Sequence, residues 1–126
     1  MLKLVLIAIG GAFGALSRYT IAFLAAKFFP GNFPLGTLIV NILGSFLVCF
    51  LAKHFLYSAI DPMYRYLFIV GFLGALTTFS SFTYESLILF QEKMLLLGVL
   101  NIFLNFTLSF IGGILGFALA NYLFLK

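Results

Sequence analysis

Four apolar runs, each about as long as the hydrocarbon core of a bilayer is thick, take up almost all of this chain: residues 4–28, 35–51, 66–90 and 95–125. A helix needs roughly 20 mostly apolar residues to cross that core. In lipid every backbone amide must be satisfied internally, which leaves helices or closed barrels. Barrel strands would show as segments of about 10 residues with alternating polarity, and the runs show no such alternation. The expectation is an all-α membrane protein: a single domain over residues 1–126 with four transmembrane helices. The punctuation agrees with it. Pro30-Gly31-Asn32 and Pro34 end the first run, and Lys53-His54 closes the second. Asp61-Pro62 reads as a turn or the start of an interfacial helix, and Gln91-Glu92-Lys93 as a very short polar link.

Composition excludes other classes. Apolar residues make up 64% of the 126 and charged residues 8%, against about 45–50% and about 25% in soluble domains. Such a chain cannot cover a cytosolic enzyme with polar groups, and it is too apolar to be disordered. A nucleic-acid footprint needs basic residues clustered on one face; the 7 Lys and Arg here are scattered, so no nucleic-acid partner is expected. The single cysteine, Cys49, forms no disulfide within the chain and no cysteine metal site, and with the single histidine, His54, it offers no catalytic pair. No enzymatic chemistry is expected. There is no Trp, so an interfacial belt must come from Tyr and Phe. Lys3 followed by residues 4–9 resembles the start of a signal peptide. The apolar run continues beyond it into Gly10-Gly11-Ala12-Phe13-Gly14, which reads as packing surface, so the segment is expected to be a retained first helix.

Four helices return both termini to one side. Lys3, Lys53, Arg65 and Lys126 then face Arg18, Lys27 and Lys93, four against three. Orientation follows a clear Lys/Arg excess on the cytoplasmic side. Two readings stand: insertion both ways round, or a weak bias that still fixes one orientation with Arg18 buried in the bilayer.

Polar residues inside the runs are ordered. Thr37, Asn41 and Ser45 recur every four residues in the second run, as do Asn101, Asn105 and Ser109 in the fourth, so each trio shares one helix face. Amides on such a stripe can carry an ion or a water file; they can also act as interhelical glue, worth about 1 kcal/mol per contact. Two stripes in one small chain favour a conduction path. Gly10 with Gly14, and Gly112 with Gly116, fit the spacing that lets helices approach closely, which packing alone explains.

The third run is the anomaly. Between Gly74 and Thr83 it carries Thr77, Thr78, Ser80 and Ser81 near mid-membrane. Glycine and threonine are mediocre helix formers, and a helix interrupted at that depth is tolerated only around a cavity or an ion. The alternative is a continuous helix whose hydroxyls bond back to the preceding turn. The clustering favours a break. Phe79 and Phe82 share a face with the hydroxyl-rich turn. Their ring edges are electropositive and can meet an anion weakly, as rapid conduction requires; packing against lipid or core is the plainer use of the same rings.

These residues carry a resemblance. Gly10-Gly11-Ala12-Phe13-Gly14-Ala15-Leu16-Ser17-Arg18-Tyr19, Gly36-Thr37-Leu38-Ile39-Val40-Asn41 with Gly44, and above all Gly71-Phe72-Leu73-Gly74-Ala75-Leu76-Thr77-Thr78-Phe79-Ser80-Ser81-Phe82 resemble the Fluc/CrcB fluoride ion channels over essentially the whole chain. The resemblance implies passive, selective export of fluoride through the plasma membrane of a microbe. Fluoride enters as neutral HF, dissociates and is trapped, and a channel lets it leave. It further implies an antiparallel, dual-topology homodimer with two pores, and a structural sodium ion at the dimer centre held by main-chain carbonyls at Gly74 and Thr77. Residue by residue, Asn41, Phe79 and Phe82 match the pore, with Ser80 and Thr83 in a neighbouring hydroxyl track and Ser81 and Thr78 beside it. Arg18 matches a vestibule or helix-end arginine, Thr37 is grouped with it as a structural polar residue, and Glu85 matches an acidic position at the end of the third helix. An acid beside an anion path calls for hydrogen bonding or protonation. Asn101 and Asn105, with Ser109 a turn further on, stand where many members have Tyr and Ser, and are expected to supply the fourth helix's pore ligands. Two rivals remain. A small multidrug-resistance exporter would need an acid in the first helix, which has none. A non-transporting assembly subunit leaves the polar stripes without a use.

Overall fold

The computed structural model describes residues 1–125, so Lys126, counted above among the charges of one side, lies outside the described residues. Among them the regular structure is helical throughout, and four segments are long and apolar enough to cross a membrane. The first is α1, Leu2–Phe28, and the second α2, Leu35–Tyr57. The third divides into α3, residues 63–76, and α4, Phe79–Gln91. The fourth is α5, Leu95–Phe124.

Helix α2 runs past its expected end at residue 51 to Tyr57. The polar pair fails to stop it because both side chains find aromatic faces. Lys53 Nζ lies 4.3 Å from the centre of the Phe117 ring and 5.4 Å from that of Tyr57, and the His54 ring sits 4.5 Å from that of Phe124. A long cationic stem on apolar surface is a stable arrangement near a membrane edge, and Lys is a good helix former. The helix ends instead at Ser58, whose hydroxyl donates to the His54 carbonyl at 2.6 Å.

Asp61-Pro62 opens the third span itself. Asp61 Oδ1 accepts from the Met63 amide at 2.8 Å, satisfying a first-turn donor that has no helical partner. The α-helical turn Met63–Arg65 passes into a π-helical run, Tyr66–Leu73, and returns to an α turn at Gly74–Leu76. Gly74 stays helical (φ −62°, ψ −31°), so the glycine is not the break. The interruption falls on Thr77 (φ −75°, ψ 152°) and Thr78 (φ −151°, ψ 114°), both extended. At the far end of α4, Lys93 takes φ 62°, while its amide donates to the Phe90 carbonyl (3.1 Å) and that of Met94 to the Leu89 carbonyl (2.8 Å). That pair of bonds closes a helix C-terminus tightly and turns the chain into α5 within the short polar link.

Packing is interleaved. Helix α1 packs chiefly against α3, and α2 against α5, with α4 also on α5. Glycine makes these approaches possible. A Cβ on Gly14 would overlap the Phe72 carbonyl oxygen, and one on Gly10 the Leu67 oxygen. A Cβ on Gly71 would lie 2.7 Å from the Ile7 oxygen. On α5, a Cβ at Gly116 would overlap the Phe46 oxygen. Both small-residue pairs therefore act as contact surfaces. Val40, Leu73 and Leu76 form the dry centre between α2 and α3, with Ile21, Leu47 and Phe72 around it.

Candidate functional site

The break is held by one side chain. The Thr78 amide donates to Asn41 Oδ1 at 2.8 Å, and Asn41 Nδ2 donates to the Thr78 carbonyl at 3.1 Å. The amide group of Asn41 thus pairs with the extended backbone as a neighbouring strand would. Thr78 Oγ1 accepts from the Ser81 amide at 3.1 Å and caps α4. The carbonyls of residues 74–77 lose their helical donors at the break, those of Gly74 and Thr77 because side chains take the amides. In an unbroken helix the Thr78 amide would donate to Gly74 and the Ser81 amide to Thr77; here those donors go to Asn41 and to Thr78 Oγ1. Leu73 keeps its bond, accepting from both the Thr77 amide and Thr77 Oγ1 at 3.1 Å. Back-bonding of hydroxyls occurs too, from Thr83 to Phe79 and from Ser86 to Phe82, but it coexists with the break instead of replacing it.

The two asparagine stripes meet. Asn41 Nδ2 donates to Asn105 Oδ1 at 2.9 Å. Asn105 Nδ2 donates to Asn101 Oδ1 (2.8 Å) and to the Asn101 carbonyl (3.0 Å), and Asn101 Nδ2 donates to Ser86 Oγ (2.9 Å). Asn101 is completely buried and Asn105 nearly so.

A groove of about 790 Å³ runs along α2 and α5 past the break. Asn41, Ser45, Thr77, Thr78, Asn105 and Ser109 supply its polar wall, and Phe79, Phe82, Phe106 and Phe110 much of its apolar wall. None of its described lining residues carries a charge. Ser109 Oγ is buried without a hydrogen-bond partner. The Phe79 and Phe82 rings meet edge to face, 5.2 Å apart at 65°. Phe82 is buried and Phe79 projects outward, 72% exposed.

The structure thus brings together Asn41, Asn105, Ser109, Phe79 and Phe82 of the expected pore set. It sets Asn101 behind the wall. Ser80 and Thr83 lie on the exposed side of α4, Ser80 Oγ 3.2 Å from Thr78 Oγ1. Thr37 and Glu85 stand away from the groove, beside a second, smaller cavity under the α1–α2 loop. Thr37 Oγ1 donates to Glu85 Oε1 at 2.7 Å, while Glu85 Oε2 is buried without a partner. Arg18 is half-buried on α1 and, among the described residues, makes no hydrogen bond or ion pair. Two residues of this region lay outside the sequence expectations. Ser86 follows Phe82 by one helical turn, a spacing that would have revealed it. Asn121 continues the four-residue ladder of Asn105 and Ser109 to the groove's far end.

The comparisons with known proteins agree in one direction. Residues 5–117 match the model of the family described as CrcB-like protein, Camphor Resistance (CrcB). The chain is similar to the fluoride-specific ion channel FluC of a Nitratiruptor species, 50% identical over 103 residues, covering 82% of this chain and 80% of the relative. The FluC of a Sulfurihydrogenibium species is 44% identical over 124 residues, 98% of this chain and all of the relative. That of Clostridium perfringens (strain 13 / Type A) is 42% identical over 125 residues, 98% of each. With its four spans, the protein is a multi-pass membrane protein of a microbe.

Proposed function

The chain belongs to the CrcB family, and on that premise we propose that it is a passive fluoride channel acting as an antiparallel homodimer with two pores. The observation that carries the reading is the uncharged groove, in which a free hydroxyl and aromatic edges stand beside a mid-membrane break. A fixed cation would trap a small anion; neutral donors and ring edges hold it weakly at several stations, as fast passage needs. The Ser109 hydroxyl is a buried, unengaged donor in the wall, Ser45 also makes no hydrogen bond among the described residues, and Phe79 and Phe82 line the same groove. Ser80 and Thr83 form a second hydroxyl track on the outer side of α4. Arg18 serves the vestibule, and Thr37 fixes the Glu85 carboxyl away from the path.

A second copy is favoured by the open side of the groove. Polar atoms facing lipid are costly unless protein or water covers them, and Phe79, Phe106 and Phe110 project there at about 70% exposure. The near-balanced Lys/Arg count suits insertion both ways round. The freed carbonyls of Gly74 and Thr77 fit a sodium ion. They are hard, neutral oxygens with no helical donor, and an antiparallel partner would double their number. A cation there would offset the aligned dipoles at the break and tie the subunits together. An exporter of the small multidrug-resistance type finds no support in the first helix or among the relatives.

The test is fluoride efflux from liposomes holding the purified protein, followed with a fluoride electrode and a potassium carrier to dissipate the membrane potential. Fluoride should leave while chloride stays. Efflux no faster than from empty liposomes refutes the reading.

A further inference from the structure

We propose that Ser86 and Asn101, neither of which lines the groove, are positioning residues that hold the Thr77–Thr78 break in place through Asn105 and Asn41. The hydrogen bonds run in one sense. The Thr78 amide donates to Asn41, Asn41 to Asn105, Asn105 to Asn101, Asn101 to Ser86, and Ser86 to the Phe82 carbonyl, each at 2.8 or 2.9 Å. Each intermediate side chain both accepts and donates, so each bond polarises the next. The chain of bonds leaves the break through α2, crosses to α5, and returns to α4 on the carbonyl of a groove-lining ring residue.

The donor count decides what the asparagines do. An amide has two N–H groups. Those of Asn41 are engaged by the Thr78 carbonyl and Asn105, and those of Asn105 by two oxygens of Asn101. Neither retains a donor for an anion. They act as the frame of the break, and Ser86 and Asn101 set the frame's orientation from within the protein. Ordinary interhelical glue would raise stability without fixing which backbone amide is held. Here the first acceptor of the relay, Asn41 Oδ1, is aimed at the Thr78 amide. The consequence for ion passage rests on the fluoride-channel reading, whereas the relay itself does not.

The experiment is hydrogen exchange on the full chain in lipid, read at the Thr78 amide, together with the fluoride-to-chloride permeability ratio. Ser86→Ala removes the acceptor with little change in volume, and Asn101→Leu removes the middle of the relay. Each should speed exchange at Thr78 by about tenfold, the effect of losing one buried hydrogen bond, with α1 amides unchanged. The permeability ratio should fall in the same variants, and Ser86→Thr should restore both. A residue that only supports folding would lower the yield of folded protein and leave the ratio intact. If Asn101→Leu does not fold, Ser86→Ala decides alone. Exchange at Thr78 unchanged in Ser86→Ala, exchange raised evenly over all helices, or raised exchange with an unchanged ratio overturns the proposal. Wild-type liposomes that pass no fluoride overturn the channel reading instead, and the relay is then judged on exchange by itself.

Discussion

Replacing Phe79 with Ile should separate fluoride passage from stability, and replacing Phe82 should not. The two rings form an edge-to-face pair at 5.2 Å, worth about 0.5–1.5 kcal/mol and lost in either variant. Beyond that the sites differ. Phe79 is 72% exposed, so Ile forfeits little burial within the subunit. Phe82 is 7% exposed, and refilling a flat ring's space with a branched side chain costs about a further 1.5 kcal/mol. Ile has no quadrupole, so an edge attraction of about 1 kcal/mol is removed from the path. Since about 1.4 kcal/mol is tenfold in rate, Phe79→Ile should cut flux roughly fivefold, with the unfolding midpoint lowered only by the loss of the ring pair. Phe82→Ile should lower both flux and midpoint. Met at position 79, with its polarisable sulfur, should restore part of the flux. The assay pairs fluoride efflux from liposomes with thermal unfolding and dimer content by size-exclusion chromatography on the same preparations. Wild-type flux in Phe79→Ile would remove the ring edge from the path. Flux lost together with the dimer would make the ring a packing residue only.

Neighbouring glycines on α1 should respond with opposite signs. Gly14→Ala pushes a methyl onto the Phe72 carbonyl and should lose about 1–3 kcal/mol. Gly11→Ala, whose Cβ would meet nothing closer than 4.0 Å, should gain up to about 1 kcal/mol from helix propensity, both read by thermal unfolding in detergent. Thr77→Ser keeps the main-chain oxygen but loses the methyl lodged against Gly44; cation binding should survive at a stability cost of about 0.8 kcal/mol. Anomalous density from a heavier monovalent cation at the subunit centre tests it, and a crystal soaked in that cation with no density there refutes it. Lys3→Gln with Lys53→Gln shifts the Lys/Arg balance and should favour one orientation, measured by cysteine accessibility from each side, with a drop in efflux. Full efflux from a population in a single orientation would contradict the antiparallel dimer.

Hydropathy made the four spans legible because an apolar run of that length has few other uses. The end of α2 was not legible, because nothing in Lys53-His54 announces that Phe117, more than sixty positions away, will supply the ring beneath the lysine. The break could be anticipated from Thr77-Thr78, whose hydroxyls compete with the backbone for hydrogen bonds. The π-helical run Tyr66–Leu73 could not, since apart from Gly71 its residues are aliphatic and aromatic ones that an ordinary α-helix would take equally well. The four-residue spacing placed Asn101, Asn105 and Ser109 on one face correctly. Spacing cannot say how deep a face is buried, and one helical turn separates the sealed Asn101 from the groove-lining Asn105.

The interleaved pairing of helices also constrains the order of assembly. Helix α1 finds its main partner only when α3 has been made, and α2 only when α5, the last span, has been made. Until then Asn41 can hold the Thr78 backbone, but its second N–H lacks the Asn105 oxygen that receives it. A chain stalled before α5 would thus be inserted but unlocked, with no Asn105 to fasten α2 and no anchor for Ser86. An unfinished subunit carries one unsatisfied N–H on Asn41 inside the membrane, and completion of the last helix removes it.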